Sequence, residues 1–86
     1  MVPGMIRSAE TFGARLRRLR QAAGLSQSEL GRRCREDGGP SAAYISHIET
    51  GRPNARNPSL EMIRLLARQL NVDPAVLAGF APEKKS

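Results

Sequence analysis

One histidine, His47, and one cysteine, Cys34, are the whole supply of imidazole and thiol side chains in this 86-residue chain. A single cysteine excludes an internal disulfide framework and any cysteine-cluster zinc site. A single histidine gives no metal-binding set. No base–nucleophile–orienter arrangement can be assembled from these two and capping serines, so no enzymatic activity, metal or cofactor is expected. The chemistry that remains is cationic. Fourteen Lys+Arg against eight Asp+Glu leave a formal net charge of +6, and twelve of the fourteen are Arg. Arginine suits phosphate through its forked donors. A biased genomic base composition would give the same excess, so composition does not separate the two readings, and net charge speaks to non-specific attraction, not to fold. Phe12, Tyr44 and Phe80 are the only aromatics, too few to stack the bases of a single strand.

Placing these charges requires the elements that carry them. The length fits one small domain. No apolar run approaches the roughly 18 residues of a membrane span, and Met1 to Glu10 has no apolar h-region of a secretory signal. A soluble, cytoplasmic domain is expected. Residues 1–8 read as a loose arm, 9–80 as the domain and 81–86 as a disordered tail containing Lys84 and Lys85.

The spacing predicts a first helix from Ala9 to Ala23, capped by Ser8, with Phe12, Leu16, Leu19 and Ala23 on one face. Arg15, Arg17 and Arg18 fall off that face and read as solvated. Gly24 ends the helix. Ser26 and Glu29 form a capping box for a second helix, in which Leu30 and Cys34 continue an apolar row. Cys34 therefore reads as a small core residue. Gly38-Gly39-Pro40 breaks the helix. Ser41 caps a third, Ala42 to Thr50, with Ile45 and Ile48 inward and Gly51 as its stop. Arg52 to Pro58 is a polar loop. Ser59 caps a fourth helix, Leu60 to Leu70, with Leu60, Ile63, Ala67 and Leu70 on its core stripe, and Asn71 as a left-handed terminator. Asp73-Pro74 starts a short fifth helix bearing Val76 and Leu77. No strand pattern appears, so the fold class is all-α.

The second helix, its turn, the third helix and the basic loop form the informative unit. A helix-turn-helix lays its second helix in the DNA major groove, N-terminal residues towards base edges. Such a helix must be small-sided near its start, as Ser41-Ala42-Ala43 is. Helix N-termini should approach phosphates, and Ser26-Gln27 and Ser41 supply two. Flanking arginines must reach the backbone, and Arg52 and Arg56 follow the third helix.

Gly24-Leu25-Ser26-Gln27-Ser28-Glu29-Leu30, then Tyr44-Ile45-Ser46-His47-Ile48-Glu49-Thr50-Gly51, then Asn57-Pro58-Ser59-Leu60-Glu61 closely resembles the Cro/C1-type (XRE-family) helix-turn-helix domain, from about Phe12 to Leu77. The resemblance implies a compact five-helix, lambda repressor-like fold that binds operator DNA as a homodimer. It implies that Ala42, Ala43 and His47 read bases, with Ser46 a groove-facing neighbour and Ser41 at the helix start. It makes Gln27 a phosphate contact that also braces the recognition helix. Tyr44, Thr50 and Arg52 become backbone contacts, with Asn54, Arg56 and Asn57 less firmly aligned. It also pairs Arg20 with Glu49 in a largely buried ion pair.

Two departures accompany the resemblance. The turn from Arg35 to Pro40 is about four residues longer than the family's usual form, and the loop after the recognition helix is longer too. Either the recognition helix docks at a shifted angle or the extra residues bulge into solvent. Ala42 and Ala43 cannot make the bidentate hydrogen bonds that discriminate bases best, so modest specificity is expected, from His47, Ser46 and DNA shape. His47 also reads as a plain exposed histidine, and Tyr44 as a ring in the core with its hydroxyl outward. Met62 and Leu65, off the core stripe of the fourth helix, would join Val76 or Phe80 in an exposed apolar dimer patch, unless the fifth helix covers them.

The expected function is a sequence-preferring double-stranded DNA-binding transcriptional regulator. An antitoxin or restriction-modification controller of the same fold remains open. So does a protein-interaction module that has lost DNA binding.

Overall fold

In the computed structural model, which describes residues 10–55 and 57–81, the chain forms five α-helices and one 3₁₀ turn, with no strand among the described residues. The helices are α1 (Phe12–Ala22), α2 (Gln27–Glu36), α3 (Ala42–Thr50), α4 (Leu60–Leu70) and α5 (Pro74–Ala78). Among the described residues, no helix is long and apolar enough to cross a membrane.

Every helix starts on a side-chain cap that accepts a backbone N–H, which satisfies one of the donors each helix start leaves unpaired. Ser26, Ser41, Ser59 and Asp73 do this for α2 to α5. The Ser26–Glu29 capping box is complete in both directions, at 2.8 and 3.0 Å. Gly51 and Asn71, both with left-handed φ, end α3 and α4. The first helix differs from expectation. It begins at Phe12, and Thr11 caps it by accepting the Ala14 N–H at 3.1 Å. Ser8, the expected cap, lies outside the described residues. Ala23 follows the helix as an exposed C-cap and so leaves the apolar face.

Leu16 and Leu19 of α1, Leu30 and Cys34 of α2, Ile45 and Ile48 of α3, Leu66, Ala67 and Leu70 of α4 and Leu77 of α5 make one core. Burial pushes the Cys34 thiol up to about 11, with the nearby Asp37 charge adding to the shift, so the thiol stays protonated. Leu60, expected on the core stripe, is 61% exposed, and Leu66 takes the inward position. The reason is positional. Leu60 is the first residue of α4, where no other helix covers it.

The long turn of residues 37–41 does not bulge freely. Pro40 is buried, Gly39 donates to the Cys34 carbonyl at 2.7 Å, and Gln69 of α4 donates to the Asp37 carboxylate at 2.6 Å. A Cβ on Gly39 would meet the Leu65 side chain at 2.6 Å. The extra residues are a collar that α4 holds. The loop after α3 also contributes to the core. Its Pro53–Ala55 turn buries Ala55.

Candidate nucleic-acid interface

Three helices converge on the carboxylate of Glu49, in the last turn of α3. Its side chain is 2% exposed. Arg20 Nε donates to Glu49 Oε2 at 2.7 Å and Arg20 Nη2 donates to Oε1 at 3.0 Å. Gln27 Nε2 donates to Oε1 at 3.0 Å, and Arg20 Nη1 donates to the Leu25 carbonyl at 2.8 Å. This forked, charge-assisted arrangement joins the end of α1 and the start of α2 to the end of α3. The hydrogen bonds to Glu49 raise the Arg20 pKa above its usual value, against the opposing effect of desolvation. No buried side-chain nitrogen or oxygen among the described residues lacks a partner.

Backbone approach seats α3 as firmly as the clamp does. Gly31, inside α2, has Ala42 against it: a Cβ there would lie 2.6 Å from the Ala42 nitrogen and 2.9 Å from its Cα. Gly13, inside α1, has the other end of α3 against it. A Cβ there would overlap the Ile48 carbonyl oxygen. Sequence reasoning passed over both. The available signal was cost, since glycine inside a helix loses about 1 kcal/mol against alanine and needs a reason to be there.

With Ile45 and Ile48 turned inward, α3 leaves Ala43 and Thr50 exposed and Ala42, Ser46 and His47 half-buried. Tyr44 is half-buried and packs against the core. Ser41 Oγ accepts the Tyr44 N–H at 3.2 Å. The Thr50 hydroxyl donates to the Ser46 carbonyl at 2.9 Å. Arg52 is exposed, and its N–H donates to the His47 carbonyl at 3.0 Å, which fixes its backbone just past α3. Asn54 is exposed in the 3₁₀ turn. Arg56 lies outside the described residues. The N-termini of α2 and α3, at Gln27 and Ala42, are both tied to α3 or its neighbours and carry the N–H groups and dipole that favour anions.

The arginines of α1 are not a uniform solvated face. Arg18 holds the Glu10 carboxylate through two hydrogen bonds of 2.9 Å. Arg15 donates to the Leu77 carbonyl at 3.2 Å and to the Glu10 carbonyl at 3.1 Å. Only Arg17 of the three stays exposed. The apolar surface also falls differently from expectation. Met62, Leu65 and Val76 are half-buried against the core, and among the described residues the large exposed apolar ones are Leu60 and Phe80, the latter 87% exposed. Cover for Leu65 comes from the collar at Gly39.

A family of known domains matches residues 11–80, from the cap of α1 to Phe80, and its description is a helix-turn-helix domain. The chain belongs to the helix-turn-helix domain family. That membership agrees with the Cro/C1-type resemblance of the sequence, and the matched residues take in all five helices. No curated protein and no solved structure matches the chain. As a helix-turn-helix DNA-binding domain, the chain joins α2 and α3 through one core, to which they give Leu30, Cys34, Ile45 and Ile48.

Proposed function

We propose that this domain is a sequence-preferring double-stranded DNA-binding transcriptional regulator, working in the cytoplasm as a homodimer with α3 in the major groove. The observation that supports it best is the seating of α3. Its apolar residues Ile45 and Ile48 are buried, its ends are fixed against α1 and α2, and Ala43, Thr50 and parts of Ala42, Ser46 and His47 face outward.

In this reading the N-terminus of α2 at Ser26 and Gln27, and that of α3 at Ser41, receive phosphates. Tyr44, Thr50 and Arg52 flank the groove on the backbone, and Asn54 and Arg56 extend the contact along the loop. Ala42 and Ala43 touch thymine methyls; Ser46 and His47 supply hydrogen bonds to base edges. Arginine supplies salt-dependent affinity, and the short list of polar readers keeps specificity modest. A second copy of the domain adds apolar area to a small core, with Phe80 exposed near the end of the described chain.

Selection from randomised duplexes tests this directly. The expected motif is a two-fold repeat with half-sites about one helical turn apart, roughly 34 Å. An unpaired half-site would remove the homodimer, and no enrichment at all would remove sequence preference. His47→Ala should change the motif; an unchanged motif takes His47 out of the readers. One observation favours a second reading, a protein-interaction module: the alanine pair where polar readers would give stronger discrimination. A salt titration on random duplex separates the two, because a pure adaptor shows no steep slope.

A further inference from the structure

We infer that Gly13, on α1 and away from the reading surface, sets the angle at which α3 is presented, and is thereby a positioning residue for sequence preference. The inference rests on the DNA-reading function proposed above and names a control on it.

The two ends of α3 touch two different glycines. At its start, the obstacles to a Cβ on Gly31 are the nitrogen and Cα of Ala42. At its end, the obstacles to a Cβ on Gly13 are the Ile48 carbonyl oxygen and, at 3.1 Å each, the Cα and carbonyl oxygen of Glu49. The nearest of these are backbone atoms, so no change of rotamer relieves the overlap at Gly13. Interiors packed to crystal-like density move as units under such strain.

A methyl group on Gly13 therefore pushes the last turn of α3 away from α1, while Ala42 stays seated against Gly31. The helix pivots about its start. Displacement is small at Ala42 and Ala43 and grows through His47 to Thr50. Arg52 follows, because its N–H is bonded to the His47 carbonyl. Hydrogen bonds to base edges weaken steeply with distance and angle. Attraction between arginine and the phosphate chain does not depend on such alignment. The same methyl thus separates the two components of binding. Gly24, Gly38 and Gly51, whose added Cβ would meet nothing within 4 Å, offer no such control over α3.

The test compares wild type and Gly13→Ala on two probes at one salt concentration: the duplex selected by the wild type, and a random duplex. Affinity for the selected duplex should fall about tenfold, the cost of one mismatched base pair, while random-duplex affinity stays within about twofold. A second selection with the variant should alter the bases read from His47 onward and keep those read by Ala42 and Ala43. An unchanged ratio of selected to random affinity overturns the inference, and means that the first turn of α1 yields instead of α3. A wild type with no preferred duplex is a different failure, that of the proposed function. Should Gly13→Ala not fold, the wild type decides. A nuclear Overhauser contact between the Hα protons of Gly13 and Glu49 supports the seat, and its absence overturns it.

Discussion

The α1–α2–α3 half and the α4–α5 half of this domain are held together by different physics. In the first, α3 is fixed by directional contacts: the Arg20–Glu49–Gln27 cluster and backbone approaches at Gly13 and Gly31 that leave no room for a Cβ. In the second, apolar packing of Leu66, Ala67, Leu70 and Leu77 carries the assembly, and the exposed apolar side chains Leu60 and Phe80 stand at its edges. Apolar cores tolerate changes of shape at constant volume. Forked hydrogen bonds and backbone contacts do not. Under the proposed function α3 reads DNA, which needs a defined angle, and it sits in the half that defines one. Under the proposed homodimer, the association surface needs adaptable apolar area, and Leu60 and Phe80 expose it in the second half.

The largest expected effect tests the first half. Arg20→Ala leaves Glu49 in a nearly closed site with Gln27 as its remaining side-chain donor. Breaking one partner of a buried pair costs roughly 3–5 kcal/mol, a large share of the about 5–15 kcal/mol of a typical domain. Urea denaturation should show this loss. A loss under about 1 kcal/mol would mean that apolar packing holds both halves alike.

Next comes a change at the surface of the same half. Arg52→Ala removes an exposed guanidinium just beyond α3. Under the proposed function it should weaken binding to all duplexes and lower the salt slope by about 1, with stability little changed. A variant that instead changes the selected motif would place Arg52 among the base readers.

Much of this division was legible in the sequence, because local chemistry decides it. A serine or aspartate before each helix, a glutamate three residues after Ser26 and a proline after Asp73 fix α2 to α5 without reference to the rest of the chain. The inward pairs Leu30–Cys34 and Ile45–Ile48 follow from helical spacing. What spacing could not give is which partner a long side chain finds. Arg15 reaches the Leu77 carbonyl 62 residues away, so it looked solvated. Leu60 lies on the helical stripe of α4 but beyond the reach of its neighbours. Two serviceable caps, Ser8 and Thr11, stood three residues apart before the same apolar row, and α1 starts after the second. For the interface, the motif named the helix; the angle of that helix depends on Gly13 and Gly31, whose meaning appears only when another backbone lies against them.

The second half is tested through its exposed edge. Phe80→Ala removes a ring that is 87% exposed, so stability should change by no more than about 0.5 kcal/mol. Under the proposed homodimer, sedimentation should nevertheless shift towards monomer. A loss of stability with no change in sedimentation would make Phe80 part of the fold and move the dimer surface elsewhere.

The smallest effect returns to the first half and concerns its dependence on pH. Hydrogen bonds from the Ser26 N–H and hydroxyl, in that order of size, hold the Glu29 carboxyl below its usual range. The folded state therefore keeps Glu29 ionised at a pH where the unfolded chain begins to protonate it. The stabilisation is complete above the ordinary carboxylate pKa of about 4.3 and is lost as pH falls through the lowered folded value. Glu29→Gln keeps a side-chain acceptor for the Ser26 N–H and removes the titrating charge, so its stability should fall less steeply with acid than that of the wild type. Amide exchange of α2 as pH is lowered below about 5 would follow this locally. Equal slopes in both proteins would show that the start of α2 is held by its packing against α3 through Gly31, with the capping box contributing geometry but no pH dependence.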